Sequence, residues 1–259
     1  MNTTSFAPKY SVLTYLFGDY EFVREVGEKD ENAEYVLVTD RKDLVSETWD
    51  VVVKEFPQHF NSFDKVLYVR YHPFEFCSND ICVKVDHSVK IVKPLNDIVS
   101  RFIDCGYEMA LMIHPDRNNF EEEYIKWVVS RGYHKEQALR AMSILKDLGY
   151  DFTYKGLYQL TWSIQRNDNL TRSVNEFTYT LNKVIGGLHQ DRIDQITFSF
   201  VMNRYFDYIK VMPVDEKLIT DGRYMRWYHH NSSTPIPMKF NVIEPYLFNK
   251  PAEIVDFWK

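Results

Sequence analysis

Ile81-Cys82-Val83-Lys84-Val85-Asp86-His87-Ser88-Val89-Lys90-Ile91 is a β-branched run interrupted by Asp86-His87-Ser88. A short apolar run of this kind reads as a buried strand. A carboxylate at its end is costly to desolvate unless it is paired, hydrogen-bonded or bound to a metal. Two other apolar runs close in a similar way: Tyr10 to Phe17 leads into Gly18-Asp19-Tyr20, and Glu34 to Val38 leads into Thr39-Asp40. Their spacing suits an α/β sheet with short connections. In such sheets ligands collect at the carboxyl ends of the strands, so these polar strand ends are where function is expected.

A chain of 259 residues can form one large α/β domain with a substantial core. The 18 Tyr and 18 Phe suit both core filling and stacking on bases or sugars, with the core as their main use. Net charge is −6, from 31 basic and 37 acidic residues, which lacks the basic bias of a protein that tracks a phosphate backbone. Nucleic acid is therefore not expected as a partner. Cys77, Cys82 and Cys105 have neither zinc-site spacing nor a disulfide framework and read as reduced thiols. Met1 to Lys9 has no signal-peptide-like apolar run, and no segment approaches the roughly 18 apolar residues of a membrane span. The expectation is a cytoplasmic protein, with room for peripheral association at the inner face of a membrane.

Along the chain, Trp49 to Val53 predicts a third strand, and Ser62 to Phe76 carries Lys65, Arg70 and His72 toward the strand bearing Asp86, with Pro73 ending any helix there. Leu95 to Cys105 has a helical period, and Ala110 to Ile113 predicts a buried strand that delivers His114-Pro115-Asp116-Arg117. Glu121 to Val129 and His134 to Leu148 predict helices, Tyr158 to Gln165 a strand, and Leu170 to Ile185 a further helix. The polar stretch His189 to Gln195 runs straight into the apolar Ile196 to Met202, a plausible catalytic loop opening a buried helix. From residue 212 the prolines and aromatics predict an irregular extension, giving a domain over 1–211 and a tail over 212–259 packed on it.

The ordered set Phe17-Gly18-Asp19-Tyr20, Tyr35 to Asp40, Arg70 to Phe76, Val85 to Ser88, His114 to Arg117 with Glu121-Glu122, Gln137, Gly156-Leu157, Arg166, and Asp194-Gln195 with Phe198 resembles a known family. It is similar to the glycosyltransferase-like domain family named after plant mucilage-related and turgor-regulation-defect proteins. The resemblance runs over roughly Tyr10 to Phe206. It implies an α/β fold of the GT-A, Rossmann-like type, and transfer of a sugar from a nucleoside diphosphate, with a UDP-sugar as donor. The acceptor it implies is a glycan or lipid-linked glycan, in surface or capsular polysaccharide synthesis.

The resemblance also implies roles. Asp86 would hold a divalent cation, Mn²⁺ or Mg²⁺, which neutralises the leaving diphosphate as a Lewis acid. The usual second carboxylate is replaced by Ser88, a poor ligand for a hard cation, so Arg70 is the natural substitute as a bidentate phosphate holder. Without a ligand, Asp86 would cap the next turn or pair with Arg70. Gly18, Tyr20 and Asp40 fall where the nucleobase and ribose of the donor are held. His114 and Arg117 would meet the diphosphate or the acceptor, with Glu122 or Glu121 anchoring their loop; the plainer alternative is an Arg117–Glu121 pair at helical spacing. Asp194, with Gln195, would activate the acceptor hydroxyl or position the donor; otherwise it satisfies a helix N-terminus. The family's Arg before this Asp is here Ile193, with Arg192 preceding it. His230 is a further metal candidate, whereas His87 reads as a neighbour of Asp86 because side chains alternate along an extended strand. Two other classes compete. A non-catalytic nucleotide- or glycan-binding protein fits the replacements at Ser88 and Ile193, while a nucleotidyltransferase would need a Gly-rich, basic phosphate loop that Phe17 to Tyr20 does not provide.

Overall fold

The computed structural model describes residues 8–19, 21–125, 135–186, 194–205 and 207–237, with 246, 247, 250, 251, 253 and 255. Strand β1 (Tyr10–Leu16) is buried throughout. Tyr10, Val12 and Leu16 join one core and Leu13, Tyr15 and Phe17 another, as the two-residue period of a strand requires. β2 (Ala33–Thr39), β3 (Asp50–Val53) and, after helix α1 (Ser62–Tyr71), β4 (Ile81–Val85) complete a parallel half-sheet in the order β3-β2-β1-β4. That is the order of the first half of a doubly wound Rossmann sheet, in which the direction of winding reverses between β1 and β4.

α1 starts at a reciprocal cap, in which Asn61 accepts from the Asp64 amide and Asp64 accepts from the Asn61 amide. It stops at His72, where Pro73 begins a single 3₁₀ turn, as expected.

The run Ile81 to Ile91 is two strands. After β4 the chain turns at Asp86–Ser88, and β5 (Val89–Ile91) leaves the main sheet. α2 (Asn96–Asp104) buries Ile98, Val99 and Phe102 under one sheet face. β6 (Met109–Ile113) is followed by α3 (Phe120–Ile125) and α4 (Lys135–Asp147). β7 (Tyr158–Arg166) inserts antiparallel between β4 and β6. α5 (Asn169–Gly186) and α6 (Asp194–Tyr205) cover the other face, where Leu67 and Tyr71 of α1 meet Val174, Leu181, Phe198 and Phe200. Burying one such side chain stabilises by about 1.5–3 kcal/mol, so apolar packing on both faces holds the helical layers against the sheet.

β8 (Val211–Val214) pairs in parallel with β6, so the seven-stranded order is β3-β2-β1-β4-β7-β6-β8. The division expected between residues 211 and 212 thus falls inside a strand of the main sheet. Past β8, Leu218 and Ile219 of α7 (Lys217–Thr220) and Met225 of β9 (Met225–Trp227) enter the same core as β1 and α2. β9 pairs antiparallel with β5. The α/β, Rossmann-like class stands as expected, whereas the segment from residue 212, expected to be irregular, supplies β8, α7 and β9. The antiparallel β7 and the departure of β5 do not show in the apolar pattern, because a strand buried on both faces reads the same in either direction. No described helix is long and apolar enough to cross a membrane.

Candidate functional site

β2, β1, β4 and β6 all run in one direction, so Asp40, Gly18, Asp86 and His114 lie at one edge of the sheet. The crevice between the ends of β1 and β4 is the topological switch point, where such sheets bind ligands. Asp86 follows β4 there, and its amide donates to the Thr161 carbonyl at 2.8 Å.

The two-residue period puts Cys82, Lys84 and Asp86 toward α1. From α1, the buried Arg70 reaches across. Its Nε donates to the Tyr15 hydroxyl at 2.9 Å, its Nη1 donates to Asp194 at the start of α6, and its Nη2 lies 3.8 Å from Asp86 Oδ2. Arg70 therefore gathers Asp86 and Asp194, which are 108 positions apart in sequence, around one guanidinium. Burial works against its charge, but Tyr15, Asp194 and Asp86 raise its pKa above the ordinary value. Asp194 also stands at the first turn of α6, so a pairing role and a helix-start role coincide. The Gln195 carbonyl accepts from Ser199, and its side-chain Oε1 has no hydrogen-bond donor among the described residues.

On its other side Asp86 meets His87, with His87 Nδ1 at 2.9 Å from Asp86 Oδ1. Burial raises a carboxyl's pKa, yet the His87 imidazole in ion-pair contact, with Arg70 and His230 beyond, holds Asp86 well below the usual carboxylate range. Burial likewise opposes the His87 imidazolium, but Asp86 and Glu21 push its pKa up. His87 is thus engaged directly with Asp86, contrary to the expectation of a neighbour facing away. The physical reason is that residues 86–88 form a turn, where strand alternation no longer applies.

The far nitrogen of His87, Nε2, lies 3.5 Å from Glu21 Oε1. The same oxygen accepts from His230 Nδ1 at 2.7 Å and from the Asn231 amide at 3.1 Å. Asn231 has φ 52°, a left-handed conformation that asparagine tolerates better than most residues. This turn is delivered by β9 and by the Tyr228 amide, which donates to the Ser88 carbonyl at 2.9 Å. Arg24 Nη2 fixes it further, donating to the carbonyls of His229 and Ser232. The ligand-type atoms of Glu21, His87 and His230 lie within 4.8 Å of one another, a set able to hold a metal ion. Of the three residues expected around a metal, His230 belongs to this set, Asp86 stands behind His87, and Ser88 is buried with its carbonyl engaged by the tail.

Gly18 (φ 74°) donates its amide to Asp40 Oδ1 at 3.3 Å, and Lys65 donates to Asp40 Oδ2 at 2.7 Å. Burial opposes the charge of Asp40, while Lys65 and the Gly18 amide lower its pKa. Lys65 therefore serves Asp40 rather than Asp86. Tyr20 lies outside the described residues, as do His189 to Ile193.

At the end of β6, His114 Nδ1 accepts from the Asp116 amide, its Nε2 meets Arg117, and Arg117 pairs with the buried Glu123. The partner is Glu123 and not Glu121, because α3 starts at Phe120 and turns Glu123 inward. Glu122 accepts from the Asn118 amide at 2.6 Å and anchors the loop, as expected. β4 and β6 are separated by β7, so this group stands about 10 Å from Asp86 along the edge.

Lys84, Tyr15 and Glu21 are participants that the sequence did not single out, and His87 is one that it set aside. Lys84 sits buried in the middle of β4 and donates to the Arg70 carbonyl at 2.9 Å; a charge inside an apolar strand was a visible signal for it. Burial pushes its pKa down to about 7, with Cys82 opposing and Arg70 adding to the fall. Tyr15, Glu21 and His87 gave no such signal, since a tyrosine in a strand, a glutamate in a loop and a histidine in a turn are ordinary in sequence.

No family model and no curated protein matches this chain. Among solved structures, the glycosyltransferase GlyE of Streptococcus pneumoniae TIGR4 aligns over 81% of this chain and 46% of its own, at 12% identity and a TM-score of 0.43. The chain spans less than half the length of that neighbour, and the functional reading rests on this chain's own residues.

Proposed function

We propose that this protein is a glycosyltransferase that moves a sugar from a nucleoside diphosphate donor to a glycan or lipid-linked glycan acceptor in polysaccharide synthesis. The observation that carries the reading is the meeting of Asp86, Arg70 and Asp194 at the β1/β4 switch point. A cytoplasmic site at the inner face of a membrane is part of the same proposal.

In this reading the donor enters at the strand ends, with its base toward the loop after Gly18 and its ribose hydroxyls toward Asp40, which keeps an ionised acceptor there beside Lys65. The diphosphate lies toward Asp86. A divalent ion, when bound, supplies Lewis-acid neutralisation of the leaving diphosphate, and the residues fitted to hold one here are Glu21, His87 and His230. Arg70 fixes the separation of Asp86 and Asp194 and keeps positive charge under the site. Asp194 faces the sugar and either accepts the acceptor hydroxyl's proton or orients the donor, since a carboxylate within hydrogen-bond reach is the minimum for both.

Calorimetric titration of UDP and a panel of UDP-sugars tests this. Wild type should bind with Mn²⁺ present, Asp86→Ala should weaken binding about tenfold or more, and Asp194→Asn should bind the donor without transferring it. No nucleotide binding with either Mn²⁺ or Mg²⁺ sinks the proposal. Binding that persists without hydrolysis or transfer across the panel supports the second reading, a non-catalytic nucleotide-binding protein, which the Ser88 replacement favours.

A further inference from the structure

We infer that Glu21, His87 and His230 form a site for one divalent transition-metal ion, with Asp86 orienting His87 from behind rather than ligating the ion. Three separate segments supply the ligands: the loop after β1, the β4–β5 turn and the segment after β9. Glu21 has no exposed side-chain surface, and two imidazole nitrogens converge on its Oε1, at 2.7 Å for His230 Nδ1 and 3.5 Å for His87 Nε2. Ligand atoms around a tetrahedral ion with bonds of about 2.0–2.1 Å stand about 3.3 Å apart, so closing this set on an ion takes shifts on the order of 1 Å.

A second, independent observation points the same way. His87 presents Nε2 to Glu21 while its Nδ1 is in ion-pair contact with Asp86 Oδ1 at 2.9 Å, so a small turn of the ring on closing round an ion would align the two. Metal-ligating histidines almost always give their other ring nitrogen to a carboxylate or carbonyl, which fixes tautomer and ring orientation. A third feature is openness: the His230 side chain is 57% exposed, so the ion would keep a coordination position on the solvent side for water or a ligand oxygen.

The donor set decides the metal class. Two imidazoles and one carboxylate suit zinc, iron, cobalt or manganese, whereas magnesium and calcium prefer all-oxygen sites. The ion would also tie the segment carrying His230 to the strand ends, since Arg24 and β5 already hold that segment's backbone in place.

The test needs no nucleotide, so its failure and failure of the transferase reading are distinguishable. Full-length protein stripped with EDTA is titrated with Co²⁺, following visible absorption, and Zn²⁺ loading is measured by elemental analysis. The expected result is one Co²⁺ per chain, displaced by Zn²⁺ and unaffected by millimolar Mg²⁺. Glu21→Gln and His230→Gln should each lower affinity at least tenfold, and Asp86→Asn about 10–100-fold. His229→Gln, a neighbour outside the set, should bind as wild type does. Because His230 is largely exposed, His230→Gln tests the site even if Glu21→Gln fails to fold. No stoichiometric Co²⁺ or Zn²⁺ binding overturns the inference, and so does undiminished binding by His230→Gln.

Discussion

Replacing Arg70 by methionine removes the charge that joins two carboxylates in the floor of the site. Arg70 is 7% exposed, and the Asp86 and Asp194 side chains are 21% and 11% exposed. The pair therefore belongs with buried ion pairs, whose disruption from one side costs about 3–5 kcal/mol, and not with surface pairs worth about 0–1 kcal/mol. Asp86 keeps His87 as a partner, so most of the cost falls on Asp194. The Arg70→Met/Asp194→Asn double variant should then recover part of the loss, with a coupling of about 0.5–3 kcal/mol, because the amide no longer strands a charge. Urea unfolding followed by tryptophan fluorescence measures this. At an m value of about 2–3 kcal/mol/M the single variant should lose roughly 1–2 M in midpoint. A single-variant loss under about 1 kcal/mol, or strictly additive losses, would refute the view that Arg70 carries a buried electrostatic hub.

Lys84 should make stability depend on pH in the alkaline range. Its folded pKa, near 7, lies below its unfolded value, so the unfolded chain binds the extra proton between pH 7 and about 10.4. Stability attributable to Lys84 thus rises with pH across that window, by up to about 1.4 kcal/mol per unit. The unfolding free energy of wild type minus that of Lys84→Met should climb from pH 7 to 10; a flat difference counts against a desolvated amine. Asn61→Ala, which deletes one half of the α1 cap, should cost about 1 kcal/mol in the same urea assay, and a loss indistinguishable from zero would mean that the cap is not holding α1.

The strands and helices were legible because apolar period and breakers act locally. Tyr10 to Leu16, Met109 to Ile113 and Tyr158 to Arg166 appear within a residue or two of where the periodicity puts them, and Pro73 ends α1 as proline must. The polar strand ends were legible too, since a carboxylate closing a buried run stands out in any α/β sequence. Partners were a different matter. Arg117 chose Glu123 over Glu121, and Lys65 chose Asp40, because helix phase and loop path decide which carboxylate comes within reach.

By itself, then, the sequence determined an α/β chain with its chemistry at the strand ends and with Asp86, Arg70 and Asp194 as the residues to watch. Only the tertiary structure decided that β7 runs antiparallel between β4 and β6, that Arg70 bridges Asp86 to Asp194, and that Glu21, His87 and His230 converge. The reason is separation along the chain. Glu21 and His230 are 209 positions apart, and an ordinary glutamate and an ordinary histidine acquire a shared purpose only when the pairing of β5 with β9 brings them to one oxygen.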